Sequence, residues 1–180
     1  MIATPPLAVE QRKIVRAALA AAFFCAVAFA AGYIWLPRWL EFPVDLAERL
    51  AFALRADIFV FVWVLIGVRM VSRGRFHSAA DIAGSAAAPP SARIAVQAAF
   101  LQNTVEQALI AAGAHLALST MLSGDELSLL VVAVALFCVG RATFLAGYRR
   151  GAGGRAFGMV TTALPSVMGY ALAVIMLIIR

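Results

Sequence analysis

Residues 127–148 read LSLLVVAVALFCVGRATFLAGY, and Arg141 is the one charged side chain in this stretch. As an α-helix the stretch would be about 33 Å long, at about 1.5 Å per residue. The hydrocarbon core of a bilayer is about 30 Å thick. The stretch is long, rich in Ala and Leu, and shows no alternation of polar and apolar residues, which argues against a β-strand. It therefore predicts a transmembrane helix.

Four other runs have the same character, at residues 14–36, 50–71, 94–122 and 157–179. Of the 180 residues in the chain, 64% are hydrophobic and 13% are charged, against about 45–50% and about 25% in soluble domains. A soluble fold of this length could not bury so much apolar surface. We predict an all-α integral membrane protein with five transmembrane helices, surrounded by membrane lipid.

The first run allows a second interpretation. Arg12, Lys13 and Arg16 resemble the basic region of a secretory signal peptide, and Ala-Phe-Ala at 28–30 resembles a cleavage site. The apolar run continues well beyond that site, which favours a retained helix over a cleaved one.

The basic residues are unevenly distributed among the connections. They concentrate in residues 12–16, 69–93 and 149–155, whereas the connections 37–49 and 123–126 carry most of the acidic residues. Cytoplasmic segments of membrane proteins collect Lys and Arg. With five spans, the amino terminus is predicted to be cytoplasmic and the carboxy terminus outside, in the inner membrane if the source is bacterial.

The net charge of +6 does not indicate a nucleic-acid partner, because the arginines lie at the ends of apolar runs and form no basic stripe with interleaved aromatic residues. Cys25 and Cys138 lie inside apolar runs and are interpreted as packing residues. His115 is expected to be buried and hydrogen-bonded, and Asp57 to pair with Arg55 or with the first connection. No spacing of His, Cys, Asp and Glu suits a metal.

Polar residues inside the third and fourth spans indicate a site. Ionisable groups are costly in lipid and usually face a bundle interior or a cavity. Asn103 and Glu106 are three residues apart and share a helix face, with Gln102 beside them. Arg141 and Tyr148 lie on one stripe of the fourth span. We predict that Arg141 pairs with Glu106; the alternative is an ion pair that only sets helix register.

These residues resemble the motif of the MAPEG family, the membrane-associated proteins of eicosanoid and glutathione metabolism. The likeness rests on Asn-Thr-Val-Glu at 103–106, RATFLAGY at 141–148 and the following Arg155. It implies a four-helix transmembrane bundle at residues 50–180 that forms a homotrimer and binds glutathione between subunits. Residues 1–49 would then be an additional segment, with an extra transmembrane helix and an outer loop.

The resemblance also implies roles for individual residues. Arg155 would be the catalytic residue, because a guanidinium favours the ionised, nucleophilic form of a thiol. Asn103 and Glu106 would contact the backbone and amino group of glutathione, and Tyr148 would reach the tripeptide from the fourth span. The implied binding residues are Asn103, Glu106, Arg141, Tyr148 and Arg73.

Three positions depart from the family pattern. Ala99 stands where the family commonly has an arginine, and Phe144 and Gln107 stand where it has tyrosines. Binding of glutathione would then be weakened, re-routed through Arg93 or Arg73, or lost.

Three functions follow from these observations. The first is a glutathione-dependent transferase or peroxidase that acts on lipophilic electrophiles, with no metal. The second is a non-catalytic trimeric protein of the same fold, structural or lipid-binding. The third is a small transporter or channel subunit, which the lack of an inverted repeat disfavours.

Overall fold

Long helices make up most of residues 7–179, the part of the chain that the computed structural model describes. No strand occurs in this part. Three short 3₁₀ helices, Leu36–Arg38, Gly124–Leu127 and Tyr148–Arg150, lie in or beside the connections. The long helices are α1 (Leu7–Trp35), α2 (Leu46–Phe76), α3 (Ala95–Ser119), α4 (Ser128–Gly147) and α5 (Gly151–Ile179).

Three segments of this described part are long and apolar enough to cross a membrane: Leu7–Arg38, Leu46–Phe76 and Gly124–Ile179. The last of them contains both α4 and α5. Helix α3, which corresponds to the third of the five predicted spans, is not among them, and it carries Gln, Asn and Glu side chains. The structure is thus that of an all-helical membrane protein.

Helix α2 begins four residues earlier than the sequence predicts. Asp45 caps it: the Asp45 carboxylate accepts hydrogen bonds from the backbone N–H groups of Ala47 (2.9 Å) and Glu48 (3.3 Å). Such a cap satisfies donors that the first helical turn leaves free. The predicted boundary between residues 49 and 50 therefore lies inside α2.

Helices α4 and α5 pack backbone against backbone. A Cβ atom at Gly158 would overlap the backbone nitrogen of Phe144, and one at Gly147 would overlap the carbonyl group of Gly154. Glycines allow this approach, which gains dispersion energy where lipid supplies no hydrophobic drive. Gly151, the first residue of α5, has a φ of +82° that few other residues adopt.

The other helices surround this pair. Helix α2 packs against α3 and α4, α3 packs against α5, and α1 lies against α5 and α4. The sequence led us to expect both hairpins of α3, α4 and α5 side by side. Helices α4 and α5 do pack closely along each other. The backbones of α3 and α4 approach each other at few points, because α3 packs more closely against α2 and α5.

The two ends of the helices differ in charge. At one end the backbone N–H of Gly153 donates a hydrogen bond to Glu10 Oε1 (2.7 Å), which joins the start of α1 to the α4–α5 turn. At the other end, Gly124 N–H donates to the Pro43 carbonyl (3.1 Å) and Arg49 donates to the Leu122 carbonyl (2.7 Å). The first is called the basic end, because the three Arg-rich regions lie there, and the second the acidic end.

Candidate functional site

A cavity of about 340 Å³ opens at the basic end and brings together three of the residues that the sequence singles out. Helices α1, α3 and α5 and the end of α4 contribute to its walls. We call it the Arg155 cavity. Its lining consists of Ile14, Asn103, Phe144, Tyr148, Ala152, Arg155, Ala156 and Met159.

Arg155 supplies the charge in this cavity. Its guanidinium carbon lies 4.6 Å from the centre of the Tyr148 ring, within the range of a cation–π contact. Arg155 is half-buried. In residues 7–179 the one Lys or Arg side chain within ion-pair distance of a carboxylate is Lys13, which contacts Glu10, so no carboxylate of that segment neutralises Arg155. The cavity thus presents an uncompensated positive charge to an anionic ligand.

Arg141 is fully buried beside the cavity and holds one of its lining residues, Asn103, in place. Its Nη1–H donates to Asn103 Oδ1 (2.8 Å), and its Nε–H donates to Thr162 Oγ1 (3.1 Å). The guanidinium also stacks on Phe144, 4.6 Å from the ring centre. Since the Asn103 oxygen is engaged, the amide N–H groups of Asn103 are the donors left for a ligand.

The predicted ion pair between Arg141 and Glu106 is wrong. Glu106 is exposed, and its carboxylate accepts a hydrogen bond from Gln102 Nε2 (3.3 Å). The rotation of α3 turns Asn103 toward Arg141 and carries Glu106 away from it. Glu106 shares its side of α3 with exposed apolar residues; we call this side the outer face of α3, and it comprises Gln102, Val105, Glu106, Leu109 and Ile110.

Arg73 also lies apart from the Arg155 cavity. It is exposed and lines a separate depression of about 370 Å³ with His77 and Arg93, at the end of α2. Arg73 and Arg93, the residues through which binding could be re-routed, are therefore together but do not reach Asn103 or Tyr148.

Ala99, which stands in place of an arginine in the family pattern, faces a third cavity of about 550 Å³. Arg75 and Gln102 line the same cavity. The Arg75 guanidinium donates to the Ser85 hydroxyl of the long connection. A positive charge is thus present near Ala99, but α2 supplies it.

The sequence did not reveal that Ile14 of α1 lines the Arg155 cavity or that Thr162 of α5 holds Arg141. Ile14 closes one side of the Arg155 cavity, and α1 is held there by the bond from Gly153 to Glu10. No pattern in the sequence signalled that α1 would dock at this place. Thr162, which holds Arg141, lies two helical turns after Arg155 on the same side of α5, a spacing that could have pointed to it.

The long connection at the basic end is ordered by Asp81. Its carboxylate accepts hydrogen bonds from the hydroxyl groups of Ser78 and Ser91 and from the backbone N–H of Ser91 (2.8 Å). The Ser78 hydroxyl contributes most, and together these bonds hold the pKa of Asp81 below its ordinary value. The charged carboxylate is therefore part of the folded connection.

A second buried polar pair lies toward the acidic end. His115 Nδ1 and Asp57 Oδ1 are 2.6 Å apart, and both residues are 2% exposed. The prediction that His115 is packed and hydrogen-bonded is confirmed. The expectation that Asp57 pairs with Arg55 or the first connection is wrong, because α2 turns Asp57 onto α3 and leaves Arg55 exposed.

Neither cysteine forms a disulfide: Cys25 is buried, and Cys138 is partly buried and donates a hydrogen bond to the Phe59 carbonyl (3.8 Å). Within residues 7–179 no three His, Cys, Asp or Glu side chains are grouped as metal ligands would be.

No family model matches the chain, and neither a curated protein nor a solved structure matches it.

Proposed function

We propose that this protein is a MAPEG-like, glutathione-dependent transferase or peroxidase that acts on lipophilic electrophiles. The observation that supports this most is the Arg155 cavity, in which an unpaired guanidinium, Tyr148 and Asn103 come together from three separate helical segments. These are residues of the motif that resembles the family.

The chemistry needs a stabilised thiolate. An ionised thiol is the nucleophile, and a nearby guanidinium lowers its pKa by favouring the charged form. Arg155 has this role, because no described carboxylate competes for its charge. The thiolate sulfur then attacks the electrophilic carbon, a carbon–sulfur bond forms, and the leaving group departs with its electron pair.

The basic end also suits the rest of the tripeptide. Glutathione carries two carboxylates, and arginines bind carboxylates with paired hydrogen bonds. Arg149 and Arg150 lie in the turn beside Arg155 and are exposed. The Asn103 amide, oriented by Arg141, donates to a carbonyl group of the peptide.

The assembly proposed is a homotrimer. Glu106 and Gln102 lie on the outer face of α3, about 10–16 Å along the helix from its first residue Ala95. A carboxylate that faces hydrocarbon is costly. A second copy against the outer face would cover Glu106 and bring it toward the ammonium group of glutathione in the neighbouring cavity.

The proposed orientation places the basic end in the cytoplasm, following the distribution of Lys and Arg. The amino terminus is then inside and the carboxy terminus outside. Reporter fusions at residues 85 and 125 are expected to report opposite compartments, and a cytoplasmic signal at 125 would reverse the orientation.

A non-catalytic trimer of the same fold is the second candidate, and two observations favour it. Phe144 lines the Arg155 cavity without the hydroxyl of the family's tyrosine. Ala99 supplies no guanidinium and faces a different cavity. Both changes remove ligand contacts without disturbing the packing of the helices.

Thiolate formation separates the two candidates. Detergent-purified protein at saturating glutathione is expected to show thiolate by ultraviolet difference absorbance, and Arg155→Ala is expected to lose it. Arg155→Lys is not expected to restore it, because an ammonium group does not reproduce the planar donors of a guanidinium. Arg149→Ala is the matched control, since Arg149 is exposed in the same turn and does not line the cavity.

If the wild type shows no thiolate signal and glutathione does not stabilise it against heat, the transferase or peroxidase function is excluded and the non-catalytic protein is supported. A wild-type signal that survives in Arg155→Ala would show that another arginine carries the role.

A further inference from the structure

A further cavity lies toward the acidic end and is lined almost entirely by apolar residues. Its volume is about 320 Å³, at the lower end of the range of about 300–1,000 Å³ for ligand pockets. Leu and Ala side chains of α3, α4 and α5 form most of its wall. His115 is the one titratable side chain among its described lining residues, and we call the space the His115 cavity.

The cavity is accessible from the side of the bundle. Met168 and Ile175 of α5 line it and are 58% and 52% exposed. They lie in a segment apolar enough to cross a membrane, so hydrocarbon would surround them. A molecule dissolved in the membrane could thus enter without passing through water.

His115 is held in a defined state by Asp57. The carboxylate lies 2.6 Å from Nδ1 and accepts a hydrogen bond from it, which places the ring proton on Nδ1. In the described part of the chain, the hydrogen-bond partner of the His115 ring is Asp57, at Nδ1. With the proton on Nδ1, a neutral His115 ring would have its acceptor lone pair at Nε2, and His115 is one of the residues that line the cavity.

A purely structural role explains this arrangement poorly. Both side chains are 2% exposed, and Asp57 Oδ2 has no described hydrogen-bond partner. Burying ionisable groups inside a membrane segment is costly, and such groups usually mark a site. The pair positions one hydrogen-bond acceptor at an otherwise apolar wall.

We propose that the His115 cavity binds a lipophilic alcohol or phenol, whose hydroxyl group donates a hydrogen bond to His115 Nε2 while its hydrocarbon part fills the apolar space. Asp57 is a positioning residue that keeps Nε2 free. His115 lies twelve residues after Asn103, about 18 Å further along α3. The site is therefore distinct from the Arg155 cavity and does not depend on glutathione chemistry.

Nitrogen NMR of the imidazole rings tests the hydrogen bond directly. The chain has two histidines, and the exposed His77 serves as an internal reference. The full chain, labelled with ¹⁵N-histidine, is placed in phosphatidylcholine nanodiscs and titrated with 1-decanol, decyl methyl ether or undecane. We expect 1-decanol to move the His115 Nε2 resonance upfield in a saturable way, while the ether and the hydrocarbon leave it unchanged.

Variants locate the ligand. Ala171 is an exposed lining residue, so Ala171→Trp is expected to fill the mouth of the cavity and abolish the shift. Val174→Trp is the matched control at an exposed position of the same helix that does not line the cavity, and it is expected to bind as the wild type does. Asp57→Leu should lose the response, and Asp57→Asn, which keeps an acceptor for Nδ1–H, should recover it.

Three results would overturn the proposal. The first is no saturable shift with 1-decanol in the wild type. The second is an equal shift with the ether or undecane, which would show that no hydroxyl donor is needed. The third is a full response in Ala171→Trp, which would place the alcohol outside the cavity.

Discussion

Arg141 illustrates how a buried charge can act without an ionic partner. Its guanidinium is fully buried, yet its observed partners are neutral: the Asn103 amide oxygen, the Thr162 hydroxyl and the Phe144 ring. Nη2 has no described partner. These contacts orient Asn103 toward the Arg155 cavity, so Arg141 is a supporting residue of the site.

A double-mutant cycle tests the separation of Arg141 and Glu106. Because these side chains do not touch, the effects of Arg141→Met and Glu106→Gln on the free energy of unfolding should add to within about 0.5 kcal/mol. Reversible unfolding in SDS measures all four proteins. A coupling energy well above about 1 kcal/mol would instead show that Arg141 and Glu106 interact directly, as the sequence suggested.

Acidification is expected to loosen the long connection through Asp81. The pKa of Asp81 is lowered in the folded protein by its serine hydrogen bonds, so its stabilisation is present above the unfolded pKa of about 3.9. That stabilisation is lost as the pH falls through the lower, folded pKa. The protection factors of the amides in residues 78–91, which correct for the slower intrinsic exchange in acid, should therefore fall at acidic pH.

The same exchange measurement has two controls. Asp81→Asn should already have low protection factors in this region at neutral pH, and these factors should change little with pH. Asp125→Asn, in the turn at the acidic end, should leave residues 78–91 unchanged. Identical profiles for the wild type and Asp81→Asn would contradict the role of the carboxylate.

At the scale of elements, the contact between α4 and α5 positions the Arg155 cavity. Gly158 touches the backbone of Phe144, which cannot move aside, so Gly158→Ala must separate the two helices. We expect a loss of about 1–3 kcal/mol in stability and weaker glutathione binding, measured by SDS unfolding and by thermal shift.

Gly169→Ala is the control in the same helix. A Cβ at Gly169 would lie 3.2 Å from Leu118 Cδ1, the end of a flexible side chain that can shift. Its effect on the free energy of unfolding should be clearly smaller than that of Gly158→Ala. Equal losses would mean that the glycine contact is not what sets the helix spacing.

Helix α1 also forms part of the Arg155 cavity. Glu10 binds the backbone of the α4–α5 turn, and Ile14 lines the Arg155 cavity. Helix α1 thus closes one side of the Arg155 cavity.

At the scale of the whole molecule, the outer face of α3 predicts self-association. Leu109 is 62% exposed there, near Glu106. In a variant with Cys25 and Cys138 replaced by Ser, Leu109→Cys is expected to cross-link copies of the chain in membranes, and native mass spectrometry in mild detergent should show a trimer. Val174→Cys on α5 is the control expected not to cross-link. Only monomer by mass spectrometry would refute the assembly.

The sequence alone determined the class of the protein and the gathering of Asn103, Tyr148 and Arg155. Hydropathy along a helix is a local property, so the apolar runs and the helices they predict follow from neighbouring residues. The motif spacing placed these three residues at one end, because helices joined by short connections alternate in direction.

Only the tertiary structure decided which polar groups meet. Whether Arg141 faces Glu106 or Asn103, and whether Asp57 faces Arg55 or His115, depends on the rotation of each helix about its axis. That rotation is set by the contact of α4 with α5 at Gly147 and Gly158 and by the packing of α2 and α3. The physical reason is that such packing is a sum of many weak contacts between distant residues, which no local pattern encodes.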